Sequence, residues 1–181
     1  DATKSNFYLD ADSDTYTVAA ATRFCDIVDL YRAQVSASID CNDSVSTINP
    51  GMTEICDAAN VDENCNTVSD NADAGASDAT KSNFYLDADS DTYTVSVATR
   101  FCDIVDLYRP QVSADIDCND AVSTINPGMT EICDSANVDE NCNTVSDNDD
   151  ATTSDATKSD FYLDADGDTY TVSTATRFCD I

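Results

Sequence analysis

Histidine and tryptophan are absent from this sequence, glycine occurs 4 times, proline 3 times, and Lys and Arg together number 8 against 36 Asp and Glu. Each shortage excludes something. Without imidazole there is no histidine general base, no Ser-His relay and no histidine ligand for zinc. A net charge of −28 repels phosphate, which excludes nucleic acid as a partner, and it repels an anionic bilayer as well. No apolar run approaches the roughly 18 residues of a membrane-spanning helix, so no membrane insertion is expected. Hydrophobic residues make up 41%, an ordinary share for a folded chain, so the acidity does not by itself imply disorder. Cysteine runs against the trend, with nine copies.

What is present is a repeat. DATKSNFYLDADSDTYTV begins at Asp1 and returns at Asp78, then as DATKSDFYLDADGDTYTV at Asp155, a period of 77 residues. The units are 1–77, 78–154 and 155–181, the last a partial copy. The first two are nearly identical, and several of their differences (Ala72/Asp149, Gly75/Thr152, Ala76/Thr153) lie in the polar tails 66–77 and 143–154. Those tails read as linkers or exposed connecting strands. The partial third copy suggests a window on a longer tandem array, or a subunit completed by a neighbour.

Each full unit holds four cysteines, at 25, 41, 56 and 65 and again at 102, 118, 133 and 142, and Cys179 opens the next set. There is no CxxC pair, so zinc and thioredoxin-like chemistry are poor fits. Four cysteines in a small acidic unit fit a disulfide framework from an oxidising compartment. Spacing leaves three connectivities open. The sequential one is expected: Cys25–Cys41, Cys56–Cys65, Cys102–Cys118 and Cys133–Cys142, with the partner of Cys179 beyond the chain. Each such short loop stabilises by about 3 kcal/mol in the chain-entropy picture.

The carboxylates are spaced as ligands. Asp10, Asp12 and Asp14 alternate between two apolar segments, as do Asp87, Asp89, Asp91 and Asp164, Asp166, Asp168. On a strand they would share one face and repel, whereas in a tight loop they converge on a cation. Oxygen ligands at positions 1, 3 and 5 of a loop with a carbonyl at 7 describe a calcium loop, which puts Tyr16, Tyr93 and Tyr170 at the carbonyl position. This is no EF-hand, because Ala21 stands where the bidentate Glu belongs. Further ligands are expected from two clusters. One is Asp40, Asn42 and Asp43 with Glu54; the other is Asp57, Asn60, Asp62 and Asn64. Their counterparts are Asp117, Asn119, Asp120 and Glu131, then Asp134, Asn137, Asp139 and Asn141. Hard oxygen donors favour Ca²⁺, at about two ions per repeat.

FYLDADGDTYTV, DCNDAVSTINPGMTEICD and VDENCN, in that order, resemble the secreted MopE-type metal-binding repeat family, with its pattern YxDxDGDGYG…DCDDxDxxINPGAxEICDGxDNNCDG. The sequence is also similar in style to thrombospondin type 3 repeats. The resemblance implies secretion and calcium, and points to Asp10, Asp12, Asp14, Asp40, Asp43, Glu54, Asp57 and Asp62 with their partners 77 positions on. Thr15, Thr92 and Thr169 replace the second Gly of DGDG, DAANVDENCN is one residue longer than the family's DGxDNNCDG, and Asn66 stands where Asp is usual. The copper label of the family rests on Trp-derived and His ligands, which are missing here, so copper does not carry over.

The expected fold is mainly β or irregular: small, disulfide-stapled, calcium-loaded domains in a linear array. Phe7–Leu9 and Tyr16–Ala20 read as strands, Pro50-Gly51 as a turn and 53–57 as one helical turn, while 27–35 reads as strand or irregular. The function expected is structural rather than enzymatic, an extracellular fibre or surface appendage whose partners are copies of itself or further repeats, head to tail. A spacer or adhesion stalk of a larger surface protein, and a secreted metal-binding protein, are the alternatives. Asn42-Asp43-Ser44 and the many Ser and Thr permit glycans, although the second copy reads Asn119-Asp120-Ala121.

Overall fold

Alternation in Ser5–Leu9 (β1) turns Phe7 inward, and the strand pairs antiparallel with Ala21–Phe24 (β2) in the register Phe7↔Thr22. The computed structural model describes residues 3–179. A two-residue strand, Tyr31–Arg32 (β3), pairs with the other edge of β1 through Leu9↔Tyr31, giving the order β2-β1-β3. Phe24 packs on Phe7 at 6.3 Å and meets Tyr31 edge-on at 4.9 Å between ring centres. The second copy repeats the sheet as Ala98–Phe101 (β5), Ser82–Leu86 (β4) and Tyr108–Arg109 (β6). The third copy has the hairpin Ser159–Tyr162 (β7) and Ala175–Phe178 (β8). Among the described residues, helix is confined to two 3-10 turns, Asp70–Ala72 and Asp147–Asp149. The fold is thus mainly β and irregular, as expected.

Local details depart from the sequence reading. The second strand begins at Ala21, not Tyr16, because the chain over 16–20 is drawn into other contacts. The Val18 N–H donates to the Leu9 carbonyl (3.1 Å), closing the acidic loop, and Thr17 bridges in parallel to Ile39. Residues 53–57 form no helical turn. The tails do not hang free either: Asp70, Asp73 and Ala76 are buried, and the Ser77 N–H donates to the Glu54 carbonyl (2.9 Å). By contacts the chain divides into two compact units, one up to Ser82 with Arg100–Asp103, the other Asn83–Thr99 with Ile104 onward. These bounds cut across the repeat boundary at 77/78, since the end of β5 belongs with the preceding repeat.

The interior explains why. Among the described residues only Phe7, Ala76 and Phe84 are buried hydrophobics, while the largest fully buried side chains are Glu54, Glu131, Thr17, Thr94, Asp10 and Asp87. Apolar burial at about 25 cal/mol per Å² cannot carry such a unit alone. Disulfides and satisfied polar groups must contribute the rest.

The disulfides are not the sequential ones. Cys41 bonds Cys65 and Cys118 bonds Cys142; Cys56 bonds Cys102 and Cys133 bonds Cys179. The expected Cys25–Cys41, Cys56–Cys65, Cys102–Cys118 and Cys133–Cys142 pairs are therefore all corrected, and Cys179 finds its partner inside the chain. Cys25 is a free, exposed thiol. The reason is spatial. The loop around Asp62 returns Cys65 to Cys41, whose N–H lies 3.2 Å from the Cys65 sulfur. The end of β5 carries Cys102 back to Cys56.

Candidate metal centre

Two sharp turns build the acidic loop. Ser13 and Thr15 adopt φ of 66° and 87°, a left-handed conformation that disfavours residues bearing a Cβ. In the third copy Gly167 takes the place of Ser13 with φ 77° and no atom within 4 Å of an added Cβ. Side chains stabilise these turns: Asp12 Oδ1 accepts the Asp14 N–H (3.2 Å) and Asp14 Oδ1 accepts the Tyr16 N–H (2.8 Å).

Thr17 then brings in the second half of the site. Buried, it exchanges hydrogen bonds with Ser36, from the Thr17 N–H to Ser36 Oγ (3.0 Å) and from the Ser36 N–H to Thr17 Oγ1 (3.0 Å). Its carbonyl accepts the Asp40 N–H (3.1 Å). Asp43 Oδ1 accepts the Ala11 N–H from the loop itself (2.8 Å). Asp40 Oδ1 accepts the Asn42 N–H (2.8 Å). Asp10, Asp12, Asp14, Asp40 and Asp43 therefore form one group, and carboxylate oxygens of the first three lie within 4.8 Å of one another.

The decisive feature is what is left bare. Asp12, Asp14 and Asp40 each hold one oxygen on a backbone N–H, while the other oxygen is buried without a hydrogen-bond partner. Both oxygens of the fully buried Asp10 are bare in the same sense. The second copy repeats this at Asp87, Asp89, Asp91 and Asp117, with Asp120 Oδ1 on the Ala88 N–H at 2.8 Å. Buried carboxylate oxygens without partners are costly, and a hard cation is the group that satisfies several at once.

One cation belongs to the protein. Arg32 Nη2 lies 2.6 Å from Asp10 Oδ2, and Arg109 Nη2 lies 2.8 Å from Asp87 Oδ2, as ion pairs whose angles make no hydrogen bond. The acidic loop has no Lys or Arg beside it in sequence, and the structure brings one in from β3 or β6. Five carboxylates against one guanidinium still leave four uncompensated negative charges, from Asp10, Asp12, Asp14, Asp40, Asp43 and Arg32. The residues fit a divalent cation held by oxygen.

The charge shows in the titration. Burial first, then the neighbouring carboxylates, pushes Asp12, Asp40, Asp89 and Asp117 above the usual carboxylate range. Glu63 and Glu140 rise for the same reasons. Asp73 and Asp150 are held low, by the Gly75 N–H and by the Thr152 hydroxyl respectively. A folded-state pKa above the unfolded value means the folded chain binds protons more tightly, so metal-free stability falls as pH rises from about 4 through the raised values. Below that range Asp73 and Asp150 reverse the trend. Bound metal needs ionised ligands, so metal-loaded stability should instead rise with pH over the same window. Thermal melts from pH 4 to 7, with chelator and with calcium, are expected to give slopes of opposite sign. Parallel slopes would count against an ion at this site.

The other predicted residues go elsewhere. Glu54 does not join Asp40 and Asp43; fully buried, it accepts the Asp70 N–H at Oε1 (3.1 Å) and the Glu63 N–H at Oε2 (3.0 Å). Asp57 Oδ1 accepts the N–H groups of Ala59 and Val61 (2.8 and 3.3 Å). Both oxygens of Asp62 are taken by the N–H groups of Asn66 and Thr67 (3.1 and 2.8 Å). Asn64 donates to Asp73 Oδ2 (2.8 Å). With its amide nitrogen facing them, Asn60 donates to Asp70 Oδ2 (2.5 Å) and Asp103 Oδ2 (3.1 Å). The second cluster, and its copy at Glu131, Asp134, Asp139 and Asn141, is a hydrogen-bonded polar core rather than a set of bare ligands. Among the buried side-chain atoms of the described residues there, only Asp147 Oδ2 is without a hydrogen-bond partner.

Asn42 and Asn119 accept turn N–H groups at their backbone carbonyls. Tyr16 places its hydroxyl where a Cβ on Gly51 would lie 2.6 Å away, and Tyr93 does the same at Gly128, so glycine there is a packing requirement. In the third copy, Asp164 accepts the N–H groups of Gly167 and Thr169 (2.9 and 3.0 Å), while Tyr170 is exposed.

Sequence reading missed Arg32, Glu63, Asp70 and Asp73 and their copies. None carries a spacing signal, because each is brought in from a distant segment. Near-disulfide acid groups such as Asp40 with Cys41 and Cys65 offer no thiolate, since those sulfurs are bonded to each other.

No curated protein and no solved structure matches the chain. A family model described as "Putative metal-binding motif" (Cu-binding, MopE) matches residues 40–71 and again 117–148. These segments supply Asp40 and Asp43 and their copies to the centre, and they hold the Cys41–Cys65 and Cys118–Cys142 disulfides. The chain is therefore similar to the MopE-type metal-binding motif at two places, one in each full repeat.

Proposed function

We propose that the chain is a structural component of an extracellular fibre or surface appendage, built from calcium-stabilised, disulfide-bonded tandem repeats. The observation that carries this reading is the stagger of the disulfides. Cys56–Cys102 and Cys133–Cys179 each tie one sequence repeat to the next over a separation of 46 residues. A bond of that kind makes neighbouring repeats covalently continuous twice over, which suits a chain that bears load along its length. Four disulfides also suit an oxidising, extracellular setting. Among the described residues, no helix is long and apolar enough to cross a membrane.

Calcium is the ion of this reading. The donors at the centre are carboxylates, the sequence has no imidazole, and every described cysteine but Cys25 is locked in a disulfide. Soft-metal and copper ligands are thus missing where the bare oxygens converge. One ion per full repeat is supported, at Asp10 and at Asp87; the second cluster spends its oxygens on backbone N–H groups. The carboxylates hold an ion and a loop, and on this reading the chain is not an enzyme. Its partners are copies of the same repeat, head to tail.

Negative-stain microscopy under non-reducing conditions, with and without EDTA, tests the assembly. Regular fibres that fray on chelation are expected. Dispersed particles in both conditions would sink the fibre and favour a monomeric metal-binding protein.

A further inference from the structure

Arg32 and Arg109 hold matching places, on β3 and on β6 beside the acidic loops. Each guanidinium stands against the loop carboxylate that makes no hydrogen bond, with Arg32 Nη2 2.6 Å from Asp10 Oδ2 and Arg109 Nη2 2.8 Å from Asp87 Oδ2. The partners are unlike in burial. Both aspartate side chains are fully buried, whereas the arginine side chains are 44% and 41% exposed, so the guanidinium reaches the site from the solvent side. The contact is also without direction. A well-aimed guanidinium at this distance donates a hydrogen bond, and neither arginine donates one to its aspartate. By contrast, Arg23, Arg100 and Arg177 each donate from Nη2 to a carbonyl, of Lys4, Lys81 and Lys158 (2.8, 2.7 and 2.7 Å). Arg109 adds one long bond, from Nη1 to the Tyr108 carbonyl (3.5 Å). The short strands do not depend on the arginine side chains, because their backbones pair with β1 and β4. The turns before them are held by the Asp10 N–H on the Leu30 carbonyl (2.7 Å) and the Asp87 N–H on the Leu107 carbonyl (2.8 Å).

We propose that Arg32 and Arg109 gate the metal centres: each is a resident counter-cation that a divalent ion displaces from Asp10 or Asp87 on binding. Two positive groups drawn to the carboxylate of one aspartate repel each other. The buried aspartate has nowhere to go, whereas the half-exposed guanidinium can swing into water, where its charge is solvated and its stem still lies on the protein. Without an ion, the arginine offsets part of the cost of a buried, unbonded carboxylate and keeps the loop closed over it. With an ion, that task passes to the metal. Linkage makes the effects reciprocal, so the factor by which the arginine weakens ion binding is the factor by which the ion weakens the arginine contact. The arginines therefore hold the affinity below what the carboxylates alone would give. They also turn occupancy of the centre into a side-chain movement on the edge strand of the sheet.

This inference rests on the calcium reading above, and the test separates the two. Calorimetric titration with Ca²⁺ is run on the native chain and on the double variant Arg32→Gln/Arg109→Gln, together with metal-free melts of both. Affinity is expected to rise about tenfold or more in the variant, with the number of bound ions unchanged. The metal-free melting temperature should fall, because each buried carboxylate loses its cation. Unchanged affinity would make the arginines bystanders, and lowered affinity would make them positioning residues for the ligands; either result overturns the gate. A native chain that takes up no Ca²⁺ would remove the calcium reading and this inference with it. A second measurement on the native chain covers the case of a variant that does not fold. Phenylglyoxal labelling with peptide mapping should show Arg32 and Arg109 becoming severalfold more reactive when Ca²⁺ is added, while Arg23, Arg100 and Arg177 stay as they were. Labelling of Arg32 and Arg109 that stays level or falls in a chain that binds Ca²⁺ would overturn the gate and leave the calcium reading standing.

Discussion

In Asp40→Asn combined with Asp117→Asn, the calcium-dependent rise in melting temperature is expected to disappear, while the metal-free melting temperature stays level or rises. The two residues are the ones that bring a distant segment to each acidic loop, and each leaves a buried Oδ2 without a partner. In the native chain, an ion present at a hundredfold over its dissociation constant stabilises each site by about 2.7 kcal/mol. For units of this size that corresponds to a shift of roughly 10–20 °C. The amide in the variant removes a ligand charge and also relieves the crowding that raises the Asp40 and Asp117 pKa values. A fall with calcium and a gain without it would together separate ligand loss from simple misfolding. Asp115→Asn, at an exposed position, should leave both melts unchanged. Calorimetric titration completes the test, with Ca²⁺ binding at two sites in the native chain and at neither in the double variant. Melts indifferent to calcium and EDTA, or a chain that binds Cu²⁺ and not Ca²⁺, would sink the assignment.

The second large effect is expected from the repeat-crossing disulfides. Closing 46 residues lowers the entropy of the unfolded chain by an amount worth about 4 kcal/mol, against about 3.5 kcal/mol for the 24-residue loops of Cys41–Cys65 and Cys118–Cys142. With three buried hydrophobics among the described residues, each unit has little else of that size. The double variant Cys56→Ser/Cys102→Ser should therefore lose most of its urea resistance when chelated, and regain part of it with calcium. Cys41→Ser/Cys65→Ser is expected to act differently. It frees the loop around Asp62, whose oxygens accept the N–H groups of Asn66 and Thr67, and it releases Asp40 beside Cys41. Calcium affinity should fall in that variant along with stability. Peptide mapping of the native protein comes first. A Cys56–Cys65 linked peptide in place of Cys56–Cys102 would refute the staggered pattern.

Both effects follow from how the interior is built. Glu54, Glu131, Asp10 and Asp87 occupy positions that leucine or phenylalanine fill in an ordinary domain. Glu54 tolerates burial because two backbone N–H groups satisfy its oxygens. The Asp10 carboxylate has no hydrogen bond, only the Arg32 ion pair, and that difference distinguishes the framework carboxylate from the candidate ligand.

Much was legible in the sequence alone. The 77-residue period and the mainly β character follow from the residue pattern, the MopE-type motif from resemblance, and the convergence of Asp10, Asp12 and Asp14 from their spacing over a few positions. Alternating carboxylates in a tight loop converge whatever the rest of the chain does. Asp40 and Asp43 were recognisable as oxygen donors, but their partner was not. Tertiary structure decided that they join Asp10 while Glu54 joins Asp70, because the Thr17–Ser36 hydrogen bonds and the Thr17↔Ile39 bridge fix one approach among many. It decided the disulfides in the same way: spacing permits three pairings within a unit and is silent on pairing across units, and only the return of β5 to Cys56 selects one. It also turned the polar tail from a linker into part of the core, because burial of Asp70 and Asp73 depends on acceptors and donors that lie far away in sequence. Local pattern set the ligand loops, and long-range hydrogen bonding chose what each loop would meet.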